Sequence, residues 1–131
     1  MFKSQKIRFT LSLAALFAAA ALASPAVAQT KGDAAMGAKL YAANCASCHL
    51  ASGAGGVKFA SGSVSADLRA PGLEKTYRHS NKLLLRAILA AHDEDNERLD
   101  QPMPAWKGRI TTAQAQDIIA YLHTLRGNDC G

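Results

Sequence analysis

The pentapeptide CASCH at residues 45–49 decides how this chain of 131 residues folds. Its pattern is C-x-x-C-H, with two thiols three positions apart and an imidazole directly after the second thiol. In a helical turn, positions i, i+3 and i+4 share one face. The side chains of Cys45, Cys48 and His49 would therefore point to the same side. The two residues between the thiols are small, so a large planar group could approach the backbone there.

C-x-x-C-H is the attachment signature of c-type haem. The sulfurs of Cys45 and Cys48 can form thioether bonds with the two vinyl groups, and His49 can ligate the iron. Two rival chemistries use paired cysteines. A thioredoxin-like redox pair belongs beside a βαβ pattern, which is not found here. A structural zinc site needs a second ligand pair, whereas the other cysteine, Cys130, stands alone. We therefore predict one covalently attached haem c.

The first 28 residues predict a cleaved export signal. They contain three cations and no acids, followed by an apolar stretch at residues 11–23. The Ala26-Val27-Ala28 sequence before Gln29 is an A-x-A cleavage signal. The apolar stretch is short for a membrane span, which needs ~20 residues; an anchor helix or a buried core helix is the alternative. We predict cleavage after Ala28, export to a bacterial periplasm, and one domain over residues 29–131.

The predicted mature part, residues 29–131, has a small net charge and few large apolar side chains. Its 12 Lys and Arg against 10 Asp and Glu leave +2, compared with +5 for the whole chain. This argues against a nucleic-acid-binding domain, whose folded part would carry a basic patch. Leu, Ile, Val and Phe together make only 18 of these 103 residues. So small a core usually needs additional stabilisation from a metal, a disulfide or oligomerisation. A large buried cofactor would serve the same purpose.

The apolar spacing predicts an all-α fold. Three main helices are expected, over residues 33 to about 44, 81 to about 91, and 111 to about 126. Ser80 can cap the second helix, the T-x-x-Q sequence at 111–114 is a capping box for the third, and Gly127 ends it. No stretch alternates at period two. Residues 52–65, rich in Gly, Ser and Ala, are predicted to form a loop.

Two motifs in this order make the chain resemble the class I (mitochondrial-type) cytochromes c, small monohaem proteins of bacterial periplasms. C-x-x-C-H is followed by MPAW at residues 103–106, which is similar to the distal-ligand loop of that family. Gly37 and Tyr121 match a glycine on the first helix of the family and an aromatic residue on the last, which pack together. The resemblance covers roughly residues 32–125. It implies a small cytochrome c fold, with helices and loops wrapped around the haem.

Met103 is the predicted distal ligand of the iron. A thioether is soft and neutral, so Met/His ligation raises the reduction potential relative to anionic ligation. Pro102 and Pro104 stiffen the chain on either side. The alternative is a methionine that fills core space, which is what we expect of Met36. The three remaining histidines are expected to be surface or capping residues: His79, His92 and His123.

The hydrogen-bond acceptor of the His49 ring is left open by the sequence. Relatives place a proline soon after the attachment histidine, where it helps to orient the ring. Here no proline occurs before Pro71, so the segment Pro71-Gly72-Leu73 is a candidate for that role. An acceptor of some kind is expected because it fixes the tautomer. For Cys130, an inert free thiol and a link to a partner chain are the two interpretations.

The resemblance implies an electron carrier and not an enzyme. Its partners would be a dehydrogenase, an oxidase or a reductase, which dock transiently at the haem edge. The alternatives are a haem subunit of a periplasmic oxidoreductase complex and a haem sensor with a labile distal ligand. Five cations are candidate docking charges, although solvated surface is the simpler interpretation of each: Lys58, Lys75, Lys82, Arg86 and Lys107.

Overall fold

The computed structural model describes residues 31–127, and its regular structure in that range is helical. The helices are α1 (Ala34–Asn44), α2 (Ala46–His49), α3 (Gly72–Thr76), α4 (Asn81–Ala90) and α5 (Thr112–Leu122). Within the described range, β-type pairing is limited to isolated bridges. The predicted all-α fold is confirmed. The predicted export signal, its cleavage site and Cys130 lie outside the described residues.

The predicted starts of the three main helices are confirmed by their caps. The carboxylate of Asp33 accepts hydrogen bonds from two amides in the first turn of α1. The hydroxyl of Ser80 accepts from the Leu83 amide at the start of α4. Thr111 and Gln114 form the reciprocal capping box at the start of α5. Each cap satisfies amides that have no partner inside their helix.

The third main helix, α5, ends earlier than predicted. It stops at Leu122, and the chain turns before Leu125. The carbonyl of Leu125 accepts from the Ala70 amide, and the Gly127 amide donates back to the Ala70 carbonyl. This pairing with a distant segment requires an extended chain, so a tertiary contact ends the helix before the glycine does.

Helices α1 and α5 cross with their backbones in close contact. A Cβ atom at Gly37 would lie 1.9 Å from the carbonyl oxygen of Asp117 and 2.9 Å from Cβ of Tyr121. One turn along α1, the ring of Tyr41 packs against that of Tyr121 with centroids 5.3 Å apart. The amide of Asp33 donates to Oδ1 of Asp117 at 2.7 Å. The expected contact between Gly37 and Tyr121 is therefore present, and glycine is what permits it.

The core lies where α1 and α4 pack on α5. Its most deeply buried large side chains are Tyr41, Ile118 and Ile119. Met36, expected to be core, is 47% exposed. Positions 37 and 41 of α1 share the face that meets α5, and position 36 lies beside that face. The expectation for Met36 is therefore wrong.

The short helices α2 and α3 add the remaining regular structure. We did not predict α3, which buries Leu73 and is followed by the buried ring of Tyr77. Five residues are too few for a recognisable apolar period. Among the helices described, none has the length and apolarity required to cross a membrane.

Candidate functional site

A cavity of about 450 Å³ lies against the helical core, and all four predicted site residues line it. These are Cys45, Cys48, His49 and Met103, of which the last is more than fifty positions from the others in the sequence. The volume is in the ordinary range for a cofactor or ligand site. Much of the remaining wall is aliphatic and comes from several elements: Leu68, Leu73, Leu84, Ile88, Leu99, Ile118 and Leu122.

The CASCH pentapeptide forms the junction of α1 and α2. Cys45 ends α1 and precedes α2, and His49 is the last residue of α2. The predicted helical turn is therefore present. The Tyr41 hydroxyl donates to the Leu50 carbonyl at 2.8 Å, and the Gly55 amide donates to the His49 carbonyl at 3.0 Å. These two hydrogen bonds fix the end of the turn against the core.

The ring of His49 has a defined partner. Its Nδ1 lies 2.9 Å from the carbonyl oxygen of Ala66. Because a carbonyl can only accept, Nδ1 carries the proton, and Nε2 keeps its lone pair for a metal. The acceptor that the sequence left open is thus Ala66, and the segment at Pro71 does not take that role. No residue-type signal could have identified it, since a backbone carbonyl is common to all residues.

Gly55 makes room for this carbonyl. It has a φ of 62°, and a Cβ atom there would lie 2.2 Å from the Ala66 carbonyl oxygen. A left-handed backbone and a close approach both favour glycine. The Gly-rich composition of residues 52–65 predicted a loop, but not that this loop would reach the attachment histidine.

Met103 lies on an irregular segment between α4 and α5. The segment returns to the last turn of α4, where the amides of Trp106 and Lys107 donate to the carbonyls of Ile88 and Leu89 at 3.1 and 3.0 Å. These carbonyls lie at the helix end, where intrahelical partners are missing. The side chain of Met103 is half-buried in the cavity wall.

A third part of the wall is a tight hairpin formed by residues 57–66, hereafter the 57–66 hairpin. An antiparallel bridge joins Lys58 to Val64, and the Ser65 amide donates to the Val57 carbonyl at 2.9 Å. Phe59 and Ser63 are among its residues that line the cavity. Sequence reasoning missed this element as part of the site, because its small polar residues are those of any surface loop.

Three ionisable side chains in the wall stay uncharged at neutral pH. Burial raises the pKa of the Cys45 thiol to about 11. Burial also raises the pKa of Tyr41 and of Tyr77 to about 12 each. Removing a charged group from water is unfavourable, so this wall disfavours added charge inside the cavity.

The remaining histidines do not line the cavity. His79 is exposed, and His92 forms an isolated bridge with Arg98. His123 is held at the surface of the core, with Nδ1 3.0 Å from Oε1 of Glu74 and Nε2 3.0 Å from Oδ1 of Asn81. These placements agree with the expectation that the three are surface or capping residues.

Of the five candidate docking cations, the four lysines are exposed and Arg86 is not. Its guanidinium donates to the carbonyl of Asp93, and its Nε is buried without a hydrogen-bond partner in the part of the chain that the structure describes. Arg86 lies on α4 and is half-buried. Arg86 is therefore not a fully solvated side chain, and its role as a docking charge stays a prediction.

The Cytochrome c family model matches residues 34–126. The chain belongs to the cytochrome c family. It is 33% identical over 102 residues to cytochrome c6 of Nostoc sp., which covers 78% of this chain and 77% of that protein. It is 34% identical over 105 residues to cytochrome c6 of Thermosynechococcus vestitus, covering 80% and 81% of the two chains.

As a cytochrome c, the protein is a monohaem electron carrier and not an enzyme, as predicted. Its cofactor is one covalently bound haem c, which also confirms the prediction. The residues present fit this group. The cavity is mostly apolar and brings a thiol pair, an imidazole with a free Nε2 and a thioether to one space. Within residues 31–127, no three His, Cys, Asp or Glu side chains are grouped as a zinc site would require.

Proposed function

We propose that this cytochrome c is a periplasmic electron carrier with His/Met ligation of its iron. Cys45 and Cys48 would form the thioethers, with His49 as the proximal and Met103 as the distal ligand. The observation that carries the proposal is that all four side chains line one apolar cavity. When bound, the haem supplies an iron that cycles between its ferric and ferrous states.

The hydrogen bond of the His49 ring sets the chemistry of the proximal side. The Ala66 carbonyl accepts from Nδ1–H at 2.9 Å. This bond fixes the tautomer and the ring orientation, and it makes Nε2 a better donor to a metal. The acceptor is a backbone carbonyl, so this effect on the His49 ring does not depend on an ionisable group.

The distal side adds a neutral, soft sulfur and a largely apolar surrounding. A thioether ligand raises the reduction potential, and burial among apolar side chains adds to the effect because it disfavours the more highly charged oxidised state. If His49 and Met103 both held the iron, no coordination site would stay open to a substrate. Such an arrangement supports outer-sphere electron transfer and not bond chemistry.

The proposed export and partners follow from the sequence. Residues 1–28 would be removed as a signal peptide, which leaves a cytochrome c domain at 29–131 and delivers it to the periplasm. Its redox partners would be a dehydrogenase, an oxidase or a reductase that docks transiently. Exposed lysines such as Lys58 and Lys107 are available for modest steering, since the net charge of the mature part is only +2.

The distal assignment is tested by Met103→Ala, expressed in a host that matures cytochromes c. For the wild type and the variant alike, the measured intact mass should equal that of a chain that begins at Gln29 and carries one haem. The long-wavelength Met-to-iron absorption band of the ferric protein should disappear in Met103→Ala, and the reduction potential should fall. The matched control is Met36→Ala, because Met36 is exposed and does not line the cavity.

Each part of the proposal has its own contradicting result. A Met103→Ala protein with the wild-type band and potential would exclude Met103 as the ligand. A purified periplasmic chain that still begins at Met1 would exclude the cleavage site at Ala28. Haem that is extracted by acid and organic solvent would exclude the two thioethers.

A further inference from the structure

The segment that carries Met103 has few attachments of its own. It is fixed upstream where the Leu99 amide donates to the Ala91 carbonyl, and downstream where the Trp106 amide donates to the Ile88 carbonyl. Between these points, the one backbone–backbone hydrogen bond among residues 31–127 is internal, from the Met103 amide to the Asp100 carbonyl at 3.1 Å. Residues 100–105 therefore depend on side chains for any further attachment.

Two serine hydroxyls of the 57–66 hairpin provide that attachment. Oγ of Ser63 donates to the Gln101 carbonyl at 2.5 Å, and Oγ of Ser61 lies 3.3 Å from the same oxygen and 2.8 Å from Oγ of Ser63. Since Ser63 uses its single proton on Gln101, Ser61 can donate to Ser63. In the part of the chain that the structure describes, these are the hydrogen bonds that residues 100–105 make to another segment.

The hairpin is stiff enough to act as a fixed support. The Phe59 amide donates to the Ser63 carbonyl at 3.0 Å, and the Val57 amide donates to Oγ of Ser65 at 2.9 Å. These bonds hold the backbone that carries the Ser63 side chain. The same hairpin ends at Ala66, whose carbonyl accepts from the ring of His49. One short element thus contacts the segments of both predicted axial ligands.

We propose that Ser63 is a positioning residue for Met103, because its hydroxyl ties the Met103 segment to the hairpin that orients His49. The inference rests on the proposed ligation by Met103. Ser63 would not be a ligand of the iron; its hydrogen bond to Gln101 would limit how far residues 100–105 move away from the cavity. Loss of this bond would leave the Met103 sulfur chemically unchanged but its backbone less restricted, so a thioether bound to the iron would be displaced more readily.

The test is a titration of the ferric holoprotein with imidazole, which must displace the thioether to bind. The readout is the loss of the Met-to-iron band. Removing one net hydrogen bond should make Ser63→Ala bind imidazole about fivefold more tightly. Ser63→Thr keeps the hydroxyl and should titrate like the wild type. The matched control is Ser52→Ala, in the same loop, whose hydroxyl accepts from the Ala54 amide and does not contact Gln101.

A double variant, Ser61→Ala with Ser63→Ala, excludes compensation by the second hydroxyl. The proposal is overturned if this double variant and Ser63→Ala both titrate with the wild-type midpoint, or if Ser52→Ala shifts as far as Ser63→Ala. A wild-type protein without the Met-to-iron band would remove the proposed ligation and this inference together. If the wild type shows the band, and Ser63→Ala and the double variant both titrate with the wild-type midpoint, the inference alone is removed.

Discussion

The helical half of the molecule and the loops around the cavity are held together by different kinds of contact. Between α1 and α5 the backbones touch, with Gly37 directly against the carbonyl of Asp117. Around Met103, residues 100–105 are attached to their neighbours by hydroxyl hydrogen bonds to one carbonyl, that of Gln101. Close packing tolerates little change in volume, whereas a hydrogen bond at the surface contributes only about 1 kcal/mol.

The difference separates two properties of the protein. We expect the helical half to determine whether the chain folds around its cofactor, and the loops to determine how firmly the Met103 side chain stays in the cavity. Damage to the α1–α5 contact should lower stability and leave the imidazole titration of the native protein unchanged. Substitution of Ser63 should change the imidazole titration and leave the stability nearly unchanged. The following variants test this separation.

The largest effect is expected from Gly37→Ala. The new Cβ would lie 1.9 Å from the Asp117 carbonyl oxygen, so α1 and α5 must separate. We expect a loss of about 3 kcal/mol in the free energy of unfolding, at the upper end for overpacking, measured by chemical denaturation of the holoprotein. The matched control is Gly72→Ala, where nothing lies within 4 Å of the added atom. Equal stability of the two variants would show that the crossing is not close-packed.

A smaller effect is expected from Thr111→Ala, which removes the capping box of α5. Loss of an N-cap hydroxyl typically costs about 1 kcal/mol, measured by the same denaturation. Thr112→Ala is the control, because Thr112 is the first residue of α5 and takes no part in the box. Imidazole affinity should be the same in both. If Thr111→Ala tightened imidazole binding as Ser63→Ala does, the two halves would not be separable.

The smallest effect is expected at Glu74, which connects α3 to the segment after α5. The hydrogen bond from His123 lowers the pKa of Glu74 below its ordinary value of 4.5. The ionised form is therefore favoured by folding, so its contribution is present above pH 4.5 and is lost as pH falls through the lowered pKa. At neutral pH, Glu74→Gln should have a lower free energy of unfolding than the wild type. This difference should shrink steadily as the pH falls.

The measurement for Glu74 is urea denaturation of the wild type and the variant between neutral and acid pH. The control is Glu97→Gln, because the Glu97 side chain is exposed and makes no hydrogen bond or ion pair within residues 31–127. A deficit of Glu74→Gln that persists unchanged into acid would mean that lost packing, and not lost charge, destabilises the variant.

Much of the fold could be predicted from local sequence, and the failures have a common cause. Ser80 and Thr111 cap helices where the sequence placed them, because a cap depends on residues within one turn. The end of α5 and the exposure of Met36 were predicted wrongly. Both depend on a distant partner: Ala70 pairs with the chain after α5, and the close approach at Gly37 decides which face of α1 is covered.

The sequence by itself determined the cofactor, because C-x-x-C-H places two thiols and an imidazole on one turn whatever surrounds them. Only the tertiary structure showed that the acceptor of the His49 ring is the carbonyl of Ala66, and that Ser63 reaches the segment of Met103. A backbone carbonyl and a surface serine carry no distinctive signal in a sequence. Their roles arise from a loop that folds across the cavity, and such a contact exists only once the helices have fixed where that loop begins and ends.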